Sequence, residues 1–456
     1  MVTLTSPNTT AEKIARFAFF ATLVLLPLRL RMVLLSRPNG SIYSDYTDLL
    51  LFLPDVTTLL TLIAWGFSRQ FKLQPIRLGP AMIWIPLAGL TASSLISVAS
   101  SVDGALSLYH SIRLCLLFLF YLYIVNAQVP LLTVSLAVGL QGILQTVVAI
   151  PQSILQRSVG LQLVGEYPLD PAWSGVSIVS DGAARFLRAY GLSDHPNILG
   201  GCLAFSLLVL LTIYLRSEGK NSLILGMTFA LLSLALLMTF SRSAWLALFA
   251  GSVFILLFEA RARGWAFLKS VGVLFACAAL VVLPFIVMNS SYFGARLNAG
   301  GSFQAIRAEA QAMDERAYLN QIANQIFTKY PLTGVGMSAS PVAMKREYGE
   351  FPTYYQPPHF TLLAVALETG MFGAIFYFLL MILPWVAFSR RADLRSNPRV
   401  VGAMGLLLAV TVVGFFDYYT WFSTPGRLWQ WLAWGLVAVS MELPSPFGRG
   451  QGEGES

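Results

Sequence analysis

Apolar residues run along this chain in long unbroken stretches that are separated by short polar connectors. A helix that crosses the hydrocarbon core of a bilayer needs about 20 residues of this kind. The pattern predicts an all-α, polytopic membrane protein with about twelve transmembrane helices and one long extracytoplasmic loop. The predicted spans are residues 14–35, 45–67, 79–100, 105–125, 131–155, 197–215, 221–240, 243–259, 266–288, 360–388, 400–416 and 426–442.

One polar stretch is much longer than the other connectors, and it comprises the 70 residues from Asn289 to Pro358. Within it, apolar residues recur at helical spacing over Ala310–Lys329, which predicts an amphipathic helix lying over the membrane face. Pro331 ends this helix, and Gly334 and Gly336 predict a tight backbone turn after it.

These stretches divide the chain into four parts. Residues 1–288 hold predicted helices one to nine, 289–358 form the large loop, and 359–443 hold helices ten to twelve. The last part, 444–456, is rich in Gly, Pro and Ser and is predicted to be disordered. The tenth span is long, so a short interfacial helix is expected before its crossing, with Gly370 and Gly373 at the joint.

The composition supports a membrane protein, because 56% of the residues are hydrophobic, 11% are charged and the mean hydropathy is +0.68. The net charge of +8 does not indicate nucleic-acid binding, since the basic residues form no patch with interleaved aromatics. The three cysteines lie in apolar runs, and no Cys/His cluster has metal-ligand spacing, so no metal site is expected. The first apolar run lacks a small-residue cleavage site, so we interpret it as a retained span and not a signal peptide.

Short basic connectors indicate which side of the membrane each loop occupies, because such connectors stay in the cytoplasm. With twelve spans, four basic connectors and both termini fall on that side. These connectors are Ser68–Arg77, Arg216–Lys220, Glu259–Lys269 and Ser389–Arg399.

The same count places residues 156–196, 241–243 and 289–358 on the outer face. Arg29, Arg31 and Arg37 disagree with this sidedness, because they are basic yet lie at the outward end of the first span. Either they serve a site there or the first span ends earlier than predicted.

Several arginines on the outer face have no evident anchoring role. Arg242 lies between two apolar runs, where a guanidinium suits a phosphate or diphosphate group, although an interfacial anchor is the alternative. Arg185 and Arg188 precede a span and add positive potential for an anionic substrate. Arg316 lies on the predicted amphipathic helix, where an ordinary surface position is the alternative.

His359 stands where the large loop returns to the membrane, directly after two prolines. It is a candidate catalytic residue, although packing or capping is the commoner role of such a histidine. His195 lies in a turn before Pro196, and Asp194 or Asn197 is expected to cap the helix that follows. His195 and Asn197 are also candidates for substrate binding, although an idle, exposed position is the alternative for His195. His110 lies inside the fourth span, where it is either structural or lines a cavity.

Two further residues are candidates for substrate binding. Tyr355 belongs to an aromatic cluster with Tyr348, Phe351 and Tyr354, which suits either stacking on a sugar or an interfacial belt. Glu368 lies one to two turns into the helix after His359, and its depth in the membrane marks it as functional or as the partner of a buried arginine.

Taken in order, these motifs resemble the O-antigen ligase and polymerase superfamily. The residues that carry the resemblance are Arg188–Gly191 with Pro196 and Asn197, Ser241 with Arg242, Tyr330–Gly336, and His359 with Glu368, Gly370 and Gly373. One departure is Phe360, where the family usually has Asn.

The resemblance implies a bacterial inner-membrane glycosyltransferase that uses glycans carried on undecaprenyl diphosphate, without a metal or another cofactor. Its site would face the periplasm, and its acceptor would be lipid A–core, as in a ligase, or another lipid-linked glycan, as in a polymerase. Arg242, Arg188 and Arg316 would stabilise the leaving diphosphate. His359 would either deprotonate the acceptor hydroxyl or bind the diphosphate in its protonated form. The alternative from another class is a transporter or flippase of polyisoprenoid-linked glycans, but we see no paired broken helices, which would favour it.

Overall fold

The computed structural model describes residues 9–70, 75–264, 267–297, 303–351 and 354–442, and the predicted tail lies outside these ranges. The described chain is predominantly helical. Its helices are α1 Thr10–Leu25, α2 Leu53–Gln70, α3 Ala81–Ser97, α4 Gly104–Ala127, α5 Leu131–Leu155, α6 Pro196–Tyr214, α7 Gly219–Met238, α8 Arg242–Arg263, α9 Leu268–Met288, α10 Ser290–Arg296, α11 Phe303–Lys329, α12 Ser340–Glu347, α13 Thr361–Arg390, α14 Ala392–Ser396, α15 Pro398–Phe416, α16 Tyr419–Phe422 and α17 Thr424–Glu442. Two antiparallel hairpins complete it, β1 Arg31–Leu35 with β2 Leu49–Phe52, and β3 Ile178–Ser180 with β4 Arg185–Leu187.

Nine helices in the described part of the chain are long and apolar enough to cross a membrane. They are α3 to α9, α13 and α15, and their bounds lie within a few residues of nine predicted spans. The other three predicted spans contain α1, α2 and α17, which do not reach that combination of length and hydropathy. A multi-pass helical membrane protein is therefore confirmed, whereas the count of twelve is not.

The predicted end of the first span and the predicted start of the second span were both wrong. Helix α1 ends at Leu25, just before Pro27, which has no amide hydrogen to donate to a continuing helix. Residues 31–35 then form β1, which pairs with β2, so α2 begins only at Leu53. The apolar runs misled the prediction because a short apolar stretch suits a strand as well as a helix. Arg29 and Arg31, two of the arginines that disagreed with the expected sidedness, therefore lie outside α1, before and within β1.

Helix α13 is broken at Gly370, as the sequence suggested, whereas Gly373 lies within regular helix. The φ of Gly370 is +72°, and a β-carbon there would lie 2.0 Å from the carbonyl oxygen of Leu332. The loop before α12 fills the break, because the amides of Val335 and Gly336 donate to the carbonyls of Leu367 and Glu368 at 2.8 and 3.1 Å. The predicted glycine turn therefore closes the backbone of a broken helix.

The centre of the bundle is formed by α6 and α17, whose residues are almost all buried. Helices α4 and α15 pack against α17, and α5, α7 and α8 pack against α6. Helix α11 runs outside this bundle and extends seven residues further towards the N-terminus than the predicted amphipathic helix. It buries one face against α12 and α13, through residues that include Leu319, Ile322 and Ile326.

Candidate active site

A cavity of about 560 Å³ lies where the β1–β2 hairpin, the segment before α6, helix α11 and the α15–α16 junction meet. All three histidines of the chain line it, namely His110, His195 and His359. They come from distant parts of the sequence, so the fold brings them together. A concave polar cavity that gathers every histidine is the best candidate for an active site.

His359 is held rigidly at the edge of this cavity. Pro357 and Pro358 are buried directly before it, and its backbone amide donates to Asn320 Oδ1 at 2.9 Å. Its ring meets the ring of Tyr418 edge to face, with 4.8 Å between centroids. Burial, helped by the charge of Arg316, lowers the pKa of His359 to about 3, so the imidazole is neutral at physiological pH.

The Nδ1 atom of His359 is buried and has no hydrogen-bond partner among the residues that the structure describes. A buried polar atom without a partner is costly in a folded protein, so this nitrogen is a candidate to bond a ligand. The imidazole is therefore a neutral, rigidly placed group with unused hydrogen-bonding capacity.

Arg316 differs from the other arginines that line the cavity. Arg29 forms an ion pair with Asp194 at 2.7 Å, Arg31 donates to both Asp194 and Asp45, and Arg113 pairs with Asp55 at 2.8 Å. Arg316 makes no hydrogen bond or ion pair within the described part of the chain. A half-buried guanidinium that faces a cavity without a partner is suited to bind an anion.

Asp417 places a carboxylate in the same cavity, at the point where α15 ends. It accepts a hydrogen bond from Asn197 Nδ2 at 2.8 Å and is nearly fully buried. Burial raises the pKa of Asp417, while Arg316 and the hydrogen bond from Asn197 oppose that rise. Asp417 was not predicted from the sequence to belong to the site.

Arg188 lies one residue behind the cavity wall. Its Nη2 donates to Asn197 Oδ1 at 2.5 Å, so Asn197 connects Arg188 to Asp417. The other nitrogens of this buried guanidinium donate to Ser177 Oγ and to the carbonyl of Thr239. Arg188 therefore orients Asn197 and adds positive charge close to the cavity.

Arg242 lies at the start of α8, outside the cavity lining. Its Nη1 donates to the carbonyl of Arg296 at 3.1 Å, and Arg296 Nε donates to the carbonyl of Phe240 at 3.1 Å. Together with Arg188, these residues surround the turn at 239–241 between α7 and α8. Arg296 was not predicted from the sequence either, although it lies only eight residues after the ninth predicted span.

His195 caps helix α6, since its Nδ1 accepts from the amide of Asn197 at 3.1 Å. The expectation that Asp194 or Asn197 would be the cap was therefore wrong, because Arg29 and Arg31 engage Asp194 while Asn197 bridges Arg188 and Asp417. Burial lowers the pKa of His195 well below its ordinary value, and the charges of Arg188, Arg316 and Arg296 lower it further. Burial also raises the pKa of Asp194 to about 6.

Three expected site residues lie away from the cavity. Arg185 is exposed on β4. Tyr355 is buried, stacks on Phe351 at 4.7 Å and donates its hydroxyl to the carbonyl of Tyr348. Glu368 is fully buried and accepts from Ser340 Oγ and Trp421 Nε1 at 2.7 and 2.8 Å.

Glu368 was expected to be functional or to pair with a buried arginine. Arg427 lies close enough to interact with it electrostatically, but no ion pair joins Glu368 to an arginine among the described residues. Arg427 instead contacts Ser338 Oγ at 2.9 Å and His110 Nδ1 at 3.2 Å. This buried polar network lies behind His110. His110 itself lines the cavity, which was one of the two roles predicted for it.

The aromatic residues of the cavity are not those that the sequence suggested. They come from the β1–β2 hairpin, the segment before α6 and the region around α16. These residues are Tyr43, Tyr46, Phe52, Tyr167, Tyr190, Tyr418, Tyr419 and Phe422. Of the predicted cluster, Tyr354 reaches this group, since it stacks on Tyr43 with 4.4 Å between centroids.

No group of three or more His, Cys, Asp or Glu side chains in the described ranges is arranged to hold a metal ion. The cavity combines the unpartnered Arg316, the neutral His195 and His359, several carboxylates that include Asp417, and aromatic rings. Such a set can bind an anionic group beside a sugar and can hydrogen-bond a hydroxyl. The fold and the cavity thus define a multi-pass membrane protein with an enzyme-like site.

The comparison with known families agrees with this class. The family model described as O-antigen ligase matches residues 227–378, one third of the chain. This region is similar to the O-antigen ligase family, which implies a glycosyltransferase-type membrane enzyme of polysaccharide biosynthesis. The matched region contains Arg242, Arg316, His359 and Glu368, whereas His195, Asn197 and Asp417 lie outside it. No curated protein matches the chain.

Proposed function

We propose that this protein transfers a glycan from undecaprenyl diphosphate to an acceptor hydroxyl, and that the cavity around His359 is its active site. We place the reaction on the outer face of the bacterial inner membrane. The basic connectors support this sidedness, because they lie at the opposite ends of the helices from the cavity.

One observation carries the proposal, namely that the unpartnered Arg316 and the neutral His359 line the same cavity. A lipid-linked glycan presents a diphosphate directly beside a sugar. Its site therefore needs a cation for the diphosphate next to a group that can hydrogen-bond or deprotonate the acceptor hydroxyl. Arg316 supplies the first, and His359 with Asp417 supplies the second.

In the proposed reaction, the acceptor oxygen forms a bond to the anomeric carbon while the bond from that carbon to the diphosphate oxygen breaks. The bonding electrons leave with the diphosphate, and the hydroxyl proton passes to the cavity-facing nitrogen of His359. Arg316 stabilises the negative charge that develops on the leaving group, which is the kind of preorganised interaction that contributes most to catalysis.

Binding of the diphosphate also adjusts His359. In the protein alone, burial and the charge of Arg316 keep the pKa of His359 at about 3, which makes it a weak base. A bound diphosphate opposes the charge of Arg316 and places negative charge near the ring, so the pKa of His359 rises towards neutrality. His359 thereby gains basicity in the complex that reacts.

The remaining arginines act from behind the cavity wall in this proposal. Arg188 orients Asn197, which in turn holds Asp417, and the cluster of Arg188, Arg242 and Arg296 adds positive potential at the diphosphate end. The pKa of His195 lies well below its ordinary value, so its neutral imidazole offers a hydrogen bond without competing for the anion.

The aromatic rings support sugar binding. Tyr43, Tyr46 and Tyr418 border the cavity near His359, and their faces and hydroxyls suit the apolar and polar sides of a sugar ring. Burial raises the pKa of Tyr46 and of Tyr418 well above the ordinary value, so both hydroxyls stay protonated. The two hydroxyls hydrogen-bond each other at 2.5 Å, which leaves one proton of the pair to donate to a sugar.

The test is an assay of the purified protein with an undecaprenyl diphosphate-linked oligosaccharide, with a chelator present. Undecaprenyl diphosphate release is measured with lipid A–core, with a second lipid-linked glycan, and without an acceptor. The proposal predicts release that requires an acceptor, and the acceptor consumed distinguishes a ligase from a polymerase. Failure to release the lipid with either acceptor, together with movement of the intact donor across a vesicle bilayer, would replace a transferase with a transporter.

A further inference from the structure

A second cavity lies towards the C-terminal ends of α8 and α13, whose N-terminal ends lie near the active-site cavity. It has a volume of about 830 Å³ and is formed by the C-terminal parts of α8 and α13 together with the short helix α14. Arg242 begins α8 and His359 precedes α13, so the length of these helices separates the two cavities. For α8, with 22 residues, that length is about 33 Å. We call this second cavity the α8–α13 groove.

The wall of the α8–α13 groove is aromatic. Phe254 meets Trp385 edge to face with 5.4 Å between ring centroids, and Phe258 meets Phe388 in the same way at 5.0 Å. Ile382 and Val386 continue this surface along α13. An apolar wall of this length is suited to contact a hydrocarbon chain.

Two arginines stand at the polar end of the groove. The guanidinium of Arg261 lies over the ring of Phe258, 5.4 Å from its centroid, and Arg395 Nη1 donates to the carbonyl of Ser389 at 2.6 Å. Neither forms an ion pair with a carboxylate in the part of the chain that the structure describes. Nearby arginines do, since Arg216 pairs with Glu259 and Arg391 pairs with Asp393.

The groove therefore combines an apolar wall with two unpaired cations and has no carboxylate in its lining. That distribution matches an amphipathic molecule with acyl chains and a negatively charged head. Basic pockets between transmembrane helices on the cytoplasmic side bind anionic lipid headgroups in this way. The groove is next to connectors that the basic-residue pattern assigns to the cytoplasm.

We propose that the α8–α13 groove binds an anionic phospholipid of the surrounding bilayer, with its phosphate held by Arg261 and Arg395. The acyl chains lie along Phe254, Trp385 and Phe388. The bound lipid connects α8 to the α13–α14 corner, and thus braces two helices whose opposite ends bear Arg242 and His359. This proposal does not depend on the reaction assigned to the active site.

The experiment is native mass spectrometry of the purified protein, titrated with phosphatidylglycerol or phosphatidylcholine. The test variant is Arg261→Gln with Arg395→Gln. The matched control is Arg390→Gln with Arg399→Gln, which removes the same charge from exposed arginines that do not line the groove. Each arginine near an anionic lipid contributes about 1 kcal/mol, so losing both weakens binding about thirtyfold.

The proposal predicts preferential binding of phosphatidylglycerol by the wild type and by the control, and loss of that preference in the test variant. Equal binding of both lipids by the wild type would overturn it, as would equal loss in the two double variants. Undecaprenyl phosphate is included as a competitor. If undecaprenyl phosphate displaced bound phosphatidylglycerol at a concentration below that at which phosphatidylglycerol itself saturates the protein, the groove would bind a polyisoprenoid and not a bilayer phospholipid.

Discussion

The change His359→Gln distinguishes the two roles that this histidine can have. Glutamine keeps a hydrogen-bonding side chain of similar reach, but it cannot take up a proton near neutral pH. Proton transfer by a positioned side chain contributes about 10²- to 10⁴-fold to a rate, and we expect a loss of kcat in that range. The size of the loss does not by itself identify the role, because removing a side chain that binds the diphosphate would also lower the rate.

The pH dependence of kcat/KM carries the distinction, because this parameter reports the free enzyme. With a pKa of about 3, protonating His359 at pH 7 costs about 5 kcal/mol, from four pH units at about 1.36 kcal/mol each. The imidazole of the free enzyme therefore stays neutral from pH 5 to pH 8. A role as a cationic diphosphate ligand would have to overcome that cost.

The assay compares kcat/KM for undecaprenyl diphosphate release between the wild type and His359→Gln, from pH 5 to pH 8. Asp194, with a pKa of about 6, titrates in this window in both proteins, so the quotient of the two profiles removes its effect. We expect the quotient to stay constant within about twofold, because the neutral fraction of His359 hardly changes over that range. A quotient that falls about tenfold for each pH unit above the pKa would show that the protonated form is active and would refute the proposed base.

Three other substitutions test the site and the fold. Arg316→Gln is expected to lower kcat about 10²- to 10³-fold by removing charge stabilisation from the leaving group, whereas Arg307→Gln, on the exposed face of α11, should change it less than about twofold. Arg185→Gln is expected to leave the rate of release nearly unchanged, because Arg185 is exposed on β4 outside the cavity. A loss of rate comparable to that of Arg316→Gln would mean that the site extends to β4. Gly370→Ala should lower the free energy of unfolding by about 1–3 kcal/mol and lower the thermal unfolding midpoint, since alanine is strained at a φ of +72° and its β-carbon meets the Leu332 carbonyl. Gly349→Ala is the control, because a β-carbon there meets open space, and equal midpoints for the two variants would contradict this reasoning.

The long apolar helices were predictable because a membrane span imposes both length and composition. Nine predicted spans correspond to described helices of that kind, and the break at Gly370 followed from glycine in an overlong apolar run. The β1–β2 hairpin was not predictable from periodicity, because its apolar residues continue the runs of α1 and α2 without a polar interval. The disagreement of Arg29 and Arg31 with the expected sidedness was the signal that pointed to it.

The site was accessible from the sequence only in part. His359, His195, Asn197 and Arg316 were expected in one site, and the structure places all four in the lining of one cavity. Their catalytic and binding roles stay predictions. Asp417 was missed because an acidic residue at a helix end resembles an ordinary cap, and nothing local shows that the fold brings it to Asn197, which is 220 residues away.

The remaining expectations show why residue type alone does not place a side chain. Tyr355 and Glu368 have the chemistry of a binding site, but both are buried among protein partners. Arg188 and Arg242 lie beside the cavity and not in its lining, because carbonyl groups of the 239–241 turn and of Arg296 accept their hydrogen bonds. Such partners come from distant segments and cannot be inferred from local spacing.

The most direct test of the central claim is single-turnover release of undecaprenyl diphosphate from a lipid-linked oligosaccharide, with acceptor present, by the wild type, Arg316→Gln, His359→Gln and Arg307→Gln. The four proteins are first matched for thermal stability, so that a difference in rate reports the cavity and not unfolding. The account predicts rapid release by the wild type and Arg307→Gln, and release at least about a hundredfold slower in the other two. Wild-type rates in both Arg316→Gln and His359→Gln would show that the chemistry takes place elsewhere.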